Sequence, residues 1–96
     1  MKTFKMLSFS LIEPNENRAL PIIDGLVINQ ENSFRTWILE LFLANEYKEL
    51  FENLLSTGDV FEANVTISFP DNDPAKFTLV VDLIKEINDN ISVLLK

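Results

Sequence analysis

Residues 61–84 read FEANVTISFPDNDPAKFTLVVDLI, and the fold class turns on whether this stretch is made of strands. Phe61, Ala63, Val65, Ile67 and Phe69 alternate with Glu62, Asn64, Thr66 and Ser68, the period of a strand with one buried and one wet face. Asp, Asn and Pro then crowd residues 70–75, where turns concentrate them. Beyond this turn Phe77, Leu79, Val81 and Leu83 predict one face of a second strand, with Thr78, Val80, Asp82 and Ile84 forming a less polar second face. The turn-forming NDN at 88–90 and the alternating Ile91, Val93 and Leu95 complete an expected three-stranded meander.

Asp71 and Asp73 are spaced like the first oxygen ligands of a calcium loop. The later glycine and the distal glutamate of such a loop do not follow. Pro74 and the tight span between two strands favour a turn, so the sequence calls for no metal and no cofactor there.

Upstream, the apolar parity of MKTFKMLSFSLIE changes. Phe4 and Met6 share one face, Leu7, Phe9 and Leu11 the other, and a bulge near Met6 and Leu7 would reconcile them. Asp24-Gly25 lies between Ile22-Ile23 and Leu26-Val27-Ile28 and predicts a tight hairpin. Pro21 cannot donate to a ladder, which makes the arm before it short or an edge. Trp37, Leu39, Leu41 and Leu43 alternate with Ile38, Glu40 and Phe42; as a helix this segment would be apolar all round, so it reads as a buried strand ending at Ala44.

One helix is expected, over residues 46–57. Tyr47, Leu50, Phe51, Leu54 and Leu55 form an apolar stripe at helical spacing. Asn45 can cap its start, and Gly58 can take the left-handed position after its end. With 96 residues, 47% of them hydrophobic, and eight phenylalanines, the chain can bury a core as a single domain, 1–96. The expected fold is α+β: six or seven mostly antiparallel strands in a curled sheet or partly open barrel, with the helix packed on it.

Composition narrows the function. No cysteine or histidine is present, which removes thiolate chemistry, the commonest general base and the commonest transition-metal ligand. A net charge of -7 would repel phosphate backbones, so direct nucleic-acid binding is not expected. No apolar run is long enough to span a membrane, and the amino terminus lacks the pattern of a secretory signal; a cytoplasmic protein is expected. Ser33 and Ser92 are the serines considered as nucleophiles, but the sequence brings neither Lys48 nor Lys85 to them as a base.

Carboxylates are the remaining chemistry. Glu46, Glu49 and Glu52 recur along the helix, and Asp59 and Glu62 follow it, with Lys48 alone to offset them. This acidic face is the expected docking site for a basic protein partner, beside the plainer reading of a solvated surface. The leading functional expectation is a non-enzymatic interaction module. The alternative is a small-molecule-binding protein or a carboxylate-dependent enzyme with a pocket in the sheet or barrel. Converging buried acids in a deep pocket would favour the alternative, and an open surface with solvated acids the module. Apolar residues on both faces of 37–43 and 77–84 also predict a homodimer, because one helix cannot cover both strands.

Three segments carry a resemblance: MKTFKMLSFSLIE (1–13), DGLVINQENSFRTWILELF (24–42) and KEINDNISVLLK (85–96). Together they resemble the YwpF-like family of small proteins from Bacillus and related low-GC Gram-positive bacteria, over the whole chain. The resemblance implies a cytoplasmic bacterial protein with a compact, mostly β fold. It supplies no catalytic motif to carry onto these positions.

Overall fold

The structure, a computed structural model, describes residues 2–30 and 37–96; Ser33 lies outside the described residues. Eight strands and one helix follow in chain order: β1 (Lys2–Ile12), β2 (Asn17–Leu20), β3 (Ile22–Asn29), β4 (Trp37–Ala44), a 3-10 turn (Asn45–Tyr47), α1 (Lys48–Thr57), β5 (Phe61–Ile67), β6 (Ala75–Leu79), β7 (Val81–Ile87) and β8 (Asn90–Leu95). The sheet is antiparallel, in the order β6-β5-β1-β3-β4-β8-β7, with β2 beside β1. It curls into a half-barrel, as expected of the α+β class, with eight strands among the described residues rather than six or seven.

β1 organises the sheet. Lys2–Lys5 pair with β3 and Phe9–Ile12 pair with β2, while Met6–Ile12 pair with β5 along the opposite edge. The expected bulge is present: the β5 register shifts between Met6 and Ser8. It lets Met6, Phe9 and Leu11 all reach the core despite their mismatched parity. Pro21 separates β2 from β3 where one ladder ends and the next begins, which suits a residue without an N–H.

The predicted Asp24-Gly25 hairpin does not form. Both residues lie inside β3, with a register shift against β4 between Ile22 and Asp24. Gly25 serves close packing instead of turning: a Cβ there would stand 3.0 Å from both Cβ and Sδ of Met6 and 3.3 Å from Cδ1 of Ile22, so those side chains would have to give way. A strand glycine marks either a bulge or a close approach, and this one marks both.

The terminal meander is also corrected. β5 pairs with β6 and β7 with β8, but β6 and β7 stand at opposite ends of the strand order. A single residue, Val80, joins them, exchanging backbone hydrogen bonds with Lys96 (N to O 2.9 and 3.0 Å). A third register shift, between Val81 and Leu83, reverses the parity read from the sequence. Ile84 therefore packs on the core and Leu83 is turned outward. Trp37 of β4 meets Phe77 of β6 edge to face across the interior, with ring centroids 5.7 Å apart.

α1 lies against β7. Its apolar stripe is as read for Phe51, which is fully buried, and for Tyr47, Leu50 and Leu54, which pack against the core. Leu55 is exposed. The start is a 3-10 turn without a side-chain cap; Asn45 donates its backbone N–H to Asp89 O (3.2 Å) instead of capping. The end is as expected: Gly58 sits at φ 68° and its N–H reaches Leu54 O (3.0 Å).

Gly25→Ala is expected to lower stability by about 1–3 kcal/mol through overpacking. In urea denaturation the double variant with Met6→Ala should cost less than the sum of the two, since Met6 is what the new methyl group meets; strict additivity would place the strain elsewhere. Phe51→Ala should cost about 3–5 kcal/mol, whereas Leu55→Ala should stay within about 0.5 kcal/mol of the parent.

Candidate functional site

Strand alternation that buries Leu39, Leu41 and Leu43 sends Ile38, Glu40, Phe42 and Ala44 to the outside of the sheet. The same rule places Asp24, Leu26 and Ile28 of β3 and Ser92 and Leu94 of β8 outward. On β7 the shift after Val81 brings Leu83, Lys85 and Ile87 to this side, because they oppose Leu94, Ser92 and Asn90. Register then assembles two transverse rows across β3, β4, β8 and β7. One runs Leu26, Glu40, Leu94, Leu83; the next runs Asp24, Phe42, Ser92, Lys85.

This outer face is apolar for a surface. Leu26, Leu83 and Ile87 are 37%, 44% and 44% exposed, and Ile28, Ile38, Phe42 and Leu94 are half-buried around them. Two open depressions of about 190 and 320 Å³ lie here, the first around Asp24, Leu26, Glu40 and Phe42, the second around Leu83, Lys85 and Leu94, with Ile87 and Ser92 between them. Ser92 Oγ donates to Glu40 Oε1 at 3.4 Å. The Asp24 carboxylate accepts the Gly25 N–H at 2.8 Å. Among the described residues, neither Asp24 nor Lys85 has an ion-pair partner.

Asp24 and Glu40 are the two carboxylates of the first depression. They stand diagonally on neighbouring strands, a spacing of about 7–8 Å between Cα atoms. Asp24 is exposed and Glu40 half-buried. The interior of the half-barrel is filled by Phe9, Phe51, Met6 and the inward leucines. What the arrangement offers is an apolar surface with one charge of each sign at its two sides.

The sequence-derived acidic residues are spread over several elements. Glu46 lies in the 3-10 turn, Glu49 and Glu52 on α1, Asp59 in the following loop, and Glu62 on β5. Glu62 is paired with Lys76 (2.8 Å), and Lys48 contacts both Glu52 (3.5 Å) and Glu86. Local cations therefore meet two of the five. Glu46, Glu49 and Asp59 are exposed. The residue 68–74 segment is a turn: Asn72 donates its backbone N–H to Phe69 O (3.1 Å) and its side-chain amide to Ile67 O (2.7 Å). Asp71 and Asp73 are exposed on it.

The outer face had only one sign in the sequence, the apolar residues on both faces of 37–43 and 77–84. Asp24 and Lys85 could not be placed on it without the two register shifts.

Lys48 links α1 to β7, and the Glu86 carboxylate that it contacts holds its pKa above the ordinary 10.5, with Glu52 adding to the effect and desolvation opposing it. A raised value means that the stabilising contribution is fully present below 10.5 and is lost as pH rises through the folded-state value. Lys48→Met should therefore melt below the parent at neutral pH, with the gap closing only above about pH 10.5. A gap that closes between pH 7 and 9 would assign the effect to another group.

The YwpF-like protein family matches residues 2–96. An uncharacterised protein YwpF of Bacillus subtilis (strain 168) is 33% identical over 99 residues, covering 99% of this chain and 73% of that protein. A crystal structure of a hypothetical protein from Staphylococcus aureus superposes with a TM-score of 0.92 at 32% identity, covering 99% of this chain and 67% of that one. Among the described residues, no helix is long and apolar enough to cross a membrane.

Proposed function

The chain belongs to the YwpF-like protein family, and on that premise we propose that it is a non-enzymatic interaction module of the cytoplasm whose docking surface is the outer face of β3, β4, β8 and β7. One observation carries the reading: a contiguous set of apolar side chains stands open to solvent on a regular sheet, where a protein partner would bury it. The open form of both depressions and the exposure of Asp24 support binding over carboxylate catalysis. A rigid sheet also presents its side chains at little cost in ordering, which favours recognition.

A second docking reading rests on Glu46, Glu49 and Glu52, which follow one another at three-residue spacing with Asp59 and Glu62 beyond. They supply a negative field for a basic protein partner, and such a field accelerates encounter in a salt-dependent way. This reading puts the docking site on the 3-10 turn, α1, the following loop and β5 instead of the outer sheet face.

A photo-crosslinking residue placed at Leu94, and separately at Glu49, discriminates the two readings in living cells. Discrete protein adducts from position 94 are expected. Adducts from position 49 alone, weakened by salt in extracts, would move the docking site to the acidic side. An absence of protein adducts at both positions would reject the interaction module.

A further inference from the structure

We infer that the occupant of the outer sheet face is a second copy of this chain, packed face to face about a twofold axis that runs parallel to the strands between β4 and β8. The inference rests on the docking surface proposed above and names its partner. Its ground is the order of charges in the two transverse rows. Such an axis exchanges β3 with β7 and β4 with β8 while preserving position along the strands. Asp24 of each copy then lies opposite Lys85 of the partner subunit, and Leu26 lies opposite the partner's Leu83. The arrangement is isologous, so each contact occurs twice.

Charge complementarity selects this partner. Asp24 and Lys85 occupy the two ends of one row, separated by Phe42 and Ser92, and neither has an ion-pair partner among the described residues. Within one molecule they are three strands apart, roughly 14 Å at the usual strand spacing. Across the twofold they become neighbours. Phe42 and Ser92 face each other in the same row, so the aromatic ring meets a small side chain, which suits sheets packed about 10 Å apart.

The size of the face sets the expected strength. Four strands at about 4.8 Å spacing and six residues at about 3.4 Å each span roughly 15 by 20 Å. Once the relief of the side chains is included, this corresponds to the lower end of specific interfaces, roughly 600 Å² on each side. A dimer of micromolar dissociation constant is expected. Glu40 sets a limit on affinity: it stands amid Leu26, Phe42 and Leu94, and pairing the sheets removes water from its carboxylate without supplying a cation.

Sedimentation equilibrium of the full chain from about 1 to 300 micromolar tests the inference, with circular dichroism to show that each variant is folded. The parent should dimerise across this range. D24K and K85D alone should each weaken association by about tenfold or more, since like charges then meet twice. An equimolar mixture of D24K with K85D should recover association as a heterodimer, as should the D24K/K85D double variant with itself. E40Q should tighten the dimer. A mass that stays at one chain up to about 100 micromolar overturns the inference, as does a dimer indifferent to both single charge reversals. Adducts from Leu94 to other proteins, with the chain itself monomeric, would leave the docking surface standing and remove only the second copy as its occupant.

Discussion

The close approach of β1 and β3 at Met6 and Gly25 is the constraint on which the rest of the molecule depends. β1 must serve β5 along one edge and both β2 and β3 along the other, and a flat strand of eleven residues could not also turn Phe4, Met6, Phe9 and Leu11 toward one core. The shift between Met6 and Ser8 changes the parity and bends the strand. β3 pairs with β1 just before that bend, and Gly25, which has no Cβ, leaves room there for the Met6 side chain. Pro21 then ends one ladder where β1 changes partner. The curl started there is carried around by right-handed strand twist until Val80 joins the two ends of the sheet.

A curled sheet has an inside and an outside, and the two are filled differently. Inside, Trp37 and Phe77 touch across the barrel, and Phe51 of α1 is buried in the same core as the leucines of β4. The single helix is spent on this interior. Nothing in the described chain is available to cover the outside of β3, β4, β8 and β7, where Leu26, Leu83 and Ile87 remain open to water. The same shift on β7 that adds Ile84 to the core gives Leu83 to the surface. The burial of Ile84 and the exposure of Leu83 are thus two consequences of one irregularity.

The charges are divided in a related way. Lys48 fastens α1 to β7 through Glu86 and also meets Glu52, while Lys76 meets Glu62. These are surface pairs, worth little individually to stability, but they reduce the acidic field around the helix to Glu46, Glu49 and Asp59. On the outer sheet face the opposite holds. Asp24 and Lys85 are separated by two strands, so the face has polarity along its rows without internal compensation.

Much of the fold was legible in the sequence because its signals are local. Period two identified β4, β5 and β8, and a three- and four-residue stripe identified α1 and its buried Phe51. The parity change in residues 4–11 announced the bulge of β1, and Gly58 ended the helix where its left-handed backbone is needed. What the sequence could not decide was the meaning of residues whose role depends on a distant neighbour. Asp24-Gly25 carries the local signal of a hairpin, yet its place is set by Met6, which is remote along the chain. Residues 77–84 keep an unbroken alternation, yet they divide at Val80 because Lys96 pairs there and sends β6 and β7 to opposite ends of the sheet. The outer face was visible only as surplus apolar residues, and its composition waited on register, because a shift of one residue exchanges the two faces of a strand. Sequence therefore determined which segments extend, coil and bury; tertiary pairing alone decided which side chains share a surface, since that depends on hydrogen-bond register between segments far apart in the chain.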